Sequence, residues 1–125
     1  MTKIFIPFNQ WSNDKLVQEI KTATSRTKKY GKPLDTFSVN FGGNKGIYIY
    51  ELLTITRKTL QEIAEKHYKK EGCDSPEKFK SVWVSIHPIA GWEPDKKVWF
   101  HEFRLIRKLN QTKGCFDKSI YNKGL

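Results

Sequence analysis

The clearest alternation of apolar and polar positions falls at Phe37, Val39 and Phe41, which marks a strand. GGNKG at 42–46 follows it. Three glycines and an asparagine tolerate the positive backbone angles of a hairpin connection. The return strand reads GIYIYELLTIT, with Ile47, Ile49, Leu53 and Ile55 on one face and Tyr48 and Tyr50 on the other. The period then changes. Leu60, Ile63, Ala64, His67 and Tyr68 recur at helical spacing, so a helix is predicted over 59–70 with Gly72 as its C′ residue. Ser75 and Pro76 suit the cap and first position of a second helix, whose buried stripe is Phe79, Val82 and Trp83. HPIAGWEPDKK is a loop. KVWFHEFRLI is a last strand, apolar on both faces and therefore central or bulged. Upstream, KIFIPF at 3–8 reads as an extended segment that Pro7 confines to an edge or an end. Ser12 or Asn13 is the expected cap of a short helix carrying Leu16, Val17 and Ile20 and stopping near Lys21. Thr22, Thr24 and Thr27 then favour extended chain, and KKYGKP a turn. Helix, strands, two helices, strand is the order of an α+β domain whose curled sheet is flanked by helices.

Composition narrows the class. A chain of 125 residues, 38% hydrophobic and 14% aromatic, is one domain with a packed interior rather than a disordered segment. No apolar run approaches the roughly 20 residues that span a bilayer. MTKIFIPFNQW lacks the order of a secretion signal, so a cytoplasmic location without a membrane is expected. Cys73 and Cys115 form no CxxC pair and are expected as free thiols. His67, on the apolar side of its helix, is expected as a packed core histidine. His87 and His101 stand in no ligand spacing with it, so neither metal nor cofactor is expected.

Charge placement changes the picture most. The net charge is +10. Residues 1–32 hold seven basic and two acidic side chains, residues 104–125 six and one, and the middle ten of each. If both ends meet on one face, they form a basic surface that attracts phosphate backbones through counterion release.

Three segments resemble the ASCH domain family, small members of the PUA-like group. They are IKTATSRT (20–27), TLQEIAEKHYKKEGCDSPEKFKSVW (59–83) and VWFHEFRLI (98–106). The first is similar to the family's Lys-x-x-x-x-Arg element. The second resembles its helix, Glu-Gly turn and second helix, and the third its closing strand. Ile20 stands where the family usually has Gly, and Leu34-Asp35 where it often has Gly-Asp. The resemblance covers about 5–107 and implies a domain over 1–107, followed by a basic tail over 108–125. It also implies a small β-barrel with a cleft between barrel and helices, used for RNA, nucleotides or nucleosides. Some relatives remove an acyl group from the exocyclic amine of cytidine with a Lys, a Thr three positions later and a Glu between the helices. Lys21, Thr24 and Glu71 stand at those positions.

The residues themselves allow this chemistry. Thr24 and Arg26, two apart in a strand, point to one face, whereas Lys21 has the opposite parity. Thr24 could supply a nucleophile, with Lys21 as its base and Glu71 serving the leaving amine. Arg26 is the natural clamp for a phosphate or a base carbonyl. Tyr48 and Tyr50 either line the cleft or pack in the core, and Trp92, in its loop, is a candidate base platform. The expectation is a basic cleft that binds RNA or a nucleotide. Hydrolysis of acylated cytidine and cleavage of RNA are the alternatives.

Overall fold

The computed structural model describes residues 1–109; the tail residues beyond, including Cys115, Phe116 and Tyr121, lie outside the described residues. Its elements are α1 (Gln10–Val17), β1 (Ala23–Arg26), β2 (Thr36–Gly42), β3 (Gly46–Thr59), α2 (Leu60–Lys66), α3 (Pro76–Ile86) and β4 (Lys97–Leu109). The four strands form one antiparallel sheet in the order β1-β4-β3-β2. The amino-terminal segment lies beside the start of β2: Ile4 N–H donates to Thr36 O and Thr36 N–H to Thr2 O, both at 2.8 Å. Pro7, which cannot donate to a ladder, follows that pairing, in keeping with its expected edge position.

β4 lies between β1 and β3, which explains why its sequence is apolar on both faces. Val98 and Phe100 join one core cluster with Ala23, Leu60, Ile63, Ala64, Phe79 and Trp83. Phe103 joins a second, with Ile6, Leu16, Phe37, Val39, Tyr48, Tyr50 and Leu52. Strand parity puts the two clusters on opposite faces of β4. The β3–β4 ladder shifts register twice, between Ile49 and Tyr50 and between Leu52 and Thr54. An unpaired residue in one strand bends and twists the pair, which curls the sheet.

Three elements depart from the sequence expectation. The cap of α1 is Asn9, whose Oδ1 accepts from Ser12 N–H, so the helix starts before Ser12 and Asn13. It ends at Val17: Glu19 adopts φ 63° and Ile20 is 44% exposed rather than on the buried face. The second helix stops at Lys66 because His67 leaves helical geometry at φ −129°, and 67–72 form turns instead. In β3 the buried face is Tyr48, Tyr50 and Leu52, not the isoleucine face. The register shift at Leu53 then turns Ile55 onto the cluster that holds the tyrosines. The Ser75 cap and Pro76 of α3 are as expected, with Ser75 Oγ accepting from Lys78 N–H at 3.0 Å. Pairing in β4 runs to Leu109, so Lys108 and Leu109 are ladder residues opposite Tyr48 and Ile47.

Candidate functional site

β1 is an edge strand, and a cleft of about 640 Å³ runs along it. That volume is in the range of small-molecule sites. Its other walls are the 7–12 segment entering α1, the turn at Glu71 and Cys73, and the carboxy-terminal half of α3. Because the strand edge is open, side chains from both of its faces border the cleft.

The polar floor is assembled by backbone pairing. Thr22 and Ala23 N–H both donate to Lys70 O, at 2.7 and 2.9 Å, which fixes the KKEG turn against the start of β1. Lys21 Nζ then donates to Glu71 Oε1 at 3.1 Å and to Glu71 O at 3.2 Å. The pair is buried, with Lys21 5% and Glu71 4% exposed. Gly72 holds φ +91°, and a Cβ there would sit 3.0 Å from Lys15 and 3.3 Å from Lys21, so glycine is required beside the carboxylate. The second carboxylate oxygen, Oε2, accepts from Ser25 Oγ at 2.5 Å.

The even-numbered side chains form a second set. Arg26 Nε donates to Thr24 Oγ1 at 3.0 Å, as their shared parity predicts, and Nη2 donates to Pro7 O. The guanidinium lies 4.8 Å from the Phe8 ring centre and 5.6 Å from that of Tyr30. Burial lowers the Arg26 pKa, with Tyr30 and Glu71 opposing. Among the described residues no carboxylate pairs with it. Behind Thr24, His101 is fully buried. Its Nε2 accepts from Tyr30 N–H at 3.0 Å, which leaves Nδ1 to donate to Thr24 O at 3.2 Å. Burial lowers its pKa, so the ring is neutral and ties β4 to β1 and to the turn that carries Tyr30.

The walls are aromatic: Phe8, Trp11, Tyr30, Phe79, Trp83 and His87. His87 stacks on Trp83 with ring centres 4.1 Å apart, and its Nδ1 lies 3.2 Å from Trp83 O. A carbonyl accepts, so Nδ1 carries a proton and donates it. Trp83 Nε1 is buried without a hydrogen-bond partner among the described residues. The Cys73 thiol is pushed up to about 11, first by burial and then by Glu71, which keeps it an unreactive thiol at neutral pH.

The structure thus brings Lys21, Thr24, Arg26 and Glu71 to one cleft, but in two linked sets rather than one. Thr24 is bonded to Arg26 and Lys21 to Glu71. Tyr48 and Tyr50 are absent from the lining; they are core residues, Tyr50 stacked on Phe37 and edge-on to Phe103, Tyr48 edge-on to Phe41. Trp92 is also outside it, edge-on to Phe79 at 6.1 Å. Sequence reasoning missed Ser25, Phe8, Trp11, Tyr30 and His87 as cleft residues. Only Ser25 carried a local signal, sharing the parity of Lys21.

The two basic ends do not converge here among the described residues. Arg104, Arg107 and Lys108 are not in the lining. Arg104 pairs with Glu51 at 3.0 Å and Lys108 with Glu19 at 2.8 Å. The basic side chains that border the cleft are Lys21, Arg26 and Lys28, and Glu71 offsets the first. No group of three or more His, Cys, Asp or Glu side chains that could hold a metal ion occurs among the described residues. No helix there is long and apolar enough to cross a membrane.

No family model and no curated protein matches the chain. Solved structures do. An ASCH domain from Lactobacillus crispatus JV V101 superposes with a TM-score of 0.58 at 12% identity, covering 83% of this chain and 78% of that one. A protein of Enterococcus faecalis V583 described by the DUF984 family model superposes with a TM-score of 0.59 at 14% identity, covering 88% and 82%. At these identities the likeness is one of fold. The curled antiparallel sheet, its helices and these superpositions together give the chain the fold of ASCH domains, a small α+β fold of the PUA-like kind.

Proposed function

We propose that the cleft binds a nucleoside or nucleotide, with the base flat against its aromatic walls and Arg26 on a phosphate or base carbonyl. One observation carries this reading. Arg26 lies against two aromatic rings in the lining of a cleft of small-molecule size, free of any carboxylate partner among the described residues. A guanidinium held that way keeps donors for an anionic or carbonyl oxygen, and neighbouring rings favour a flat ligand. With three basic side chains lining it among the described residues, one of them offset, the site suits one or two phosphates better than a long phosphate backbone. Titration calorimetry with cytidine monophosphate tests this. Saturable binding is expected, weakened about tenfold or more by Arg26→Ala, the loss of one charged hydrogen bond. Absence of binding, or equal affinity of the variant, contradicts it.

A specific observation favours a second reading, hydrolysis of an acyl amide on the base. A buried Lys21–Glu71 pair beside the Ser25 hydroxyl, on the floor of a cleft, is costly to bury and weak as a source of stability. It is well suited to an amide: Lys21 as ammonium donates to developing negative charge, and Glu71 moves protons. Release of cytidine from acetylcytidine by the wild type, and its loss in Glu71→Gln, is the expected outcome.

A further inference from the structure

The side chain that meets the Glu71 carboxylate is Ser25. Its Oγ lies 2.5 Å from Oε2, while Oε1 is held by Lys21 at 3.1 Å. Thr24 is turned to the other face of β1, where its Oγ1 accepts from Arg26 Nε. Alternation along β1 produces this division: Ala23 and Ser25 share one face, Thr24 and Arg26 the other, while Lys21, just before the strand, meets the same carboxylate as Ser25. A nucleophilic hydroxyl needs an adjacent base that is itself oriented by a third group. Ser25, Glu71 and Lys21 meet that requirement in order. Thr24 does not, because its partner in the site is a cation that cannot take a proton.

We infer that Ser25, which borders the cleft, is the acyl-accepting nucleophile of the site, with Glu71 as its base and Lys21 as the group that orients Glu71. The inference rests on the hydrolytic reading above and names the residue that carries it. In the first half-reaction the bond from Ser25 Oγ to the acyl carbon forms as the carbon–nitrogen bond breaks. The Oγ proton passes to Glu71 Oε2 and from there to the leaving amine. Water then attacks the serine ester, gives a proton to Glu71, and the carboxylic acid leaves as Ser25 regains that proton. No redox partner is involved. Arg26 and Thr24 remain on the ligand-holding side.

An activated ester tests this apart from base recognition. The full chain is incubated with p-nitrophenyl acetate, and the acetylated residue is located by peptide mass spectrometry. Tryptophan fluorescence with cytidine monophosphate checks in parallel that each variant still folds and binds. Acetylation of Ser25 is expected, with release of p-nitrophenolate slowed about a hundredfold in Ser25→Ala and in Glu71→Gln. Acetyl on Thr24 or Lys21 overturns the inference, as does an undiminished rate in Ser25→Ala. So does the absence of an adduct on wild type that binds the nucleotide, which would leave Ser25 as a positioning group. A wild type that acetylates Ser25 but ignores cytidine monophosphate contradicts the choice of ligand alone.

Discussion

Removing one member of the Lys21–Glu71 pair strands the other charge in a site that water hardly reaches. Lys21→Met is therefore expected to cost about 3–5 kcal/mol of stability by urea denaturation. Adding Glu71→Leu is expected to recover most of that loss, because the carboxylate then no longer needs a partner. A double variant as unstable as the single one would mean that packing, not charge, sets the cost. Gly72 is the other residue on which the carboxylate depends. Gly72→Ala forces a Cβ against the Lys15 side chain at φ +91° and is expected to destabilise by roughly 1–3 kcal/mol in the same assay. Lys21, Thr24 and Glu71 were legible through short segments that resemble those of ASCH domains, and Arg26 through its strand parity with Thr24. Phe8, Tyr30 and His87 were not, since they reach the cleft from three separate segments that only the sheet brings together.

The elements explain which parts of the fold could be read in advance. The β2–β3 hairpin and α3 announce themselves through their glycines, Ser75 and Pro76. The faces of β3 do not. Its extra residue at Leu53 swaps inside for outside in mid-strand, and tyrosine and isoleucine are equally good strand formers, so alternation alone cannot choose the core side. The start of α1 was misplaced for a similar reason: asparagine and serine both cap, and Asn9 precedes the first apolar residue on the helix, Trp11. Asn9→Ala is expected to lose about 1 kcal/mol. Because Asn9 also borders the cleft, nucleotide affinity should fall with it, as measured on the folded variant.

For the whole molecule, the buried histidine behind β1 couples stability to pH. His101 and His67 both have pKa values lowered by burial, so the folded state resists their protonation. The unfolded chain takes up those protons near the ordinary imidazole value of about 6.5. Stability is therefore full above that value and is lost as pH falls through the lowered folded-state values. The melting temperature is expected to drop between neutral pH and pH ~5, in the range where only imidazoles of ordinary pKa titrate. His101→Gln should melt lower throughout but with a flatter dependence. A wild-type profile that is level over this range contradicts the neutral, Nδ1-protonated His101. Because His101 holds Thr24 O and the Tyr30 N–H together, ligand affinity should weaken over the same interval.

The account depends on an aromatic-walled cleft along β1 being the place where a nucleotide sits. Amide chemical-shift mapping during titration with cytidine monophosphate reads this residue by residue. The account predicts saturable shifts concentrated at Phe8, Ser25 to Tyr30, Glu71 to Cys73 and Trp83 to His87. Shifts that do not saturate, or that cluster instead on the β3 tyrosines or around Trp92, would contradict it.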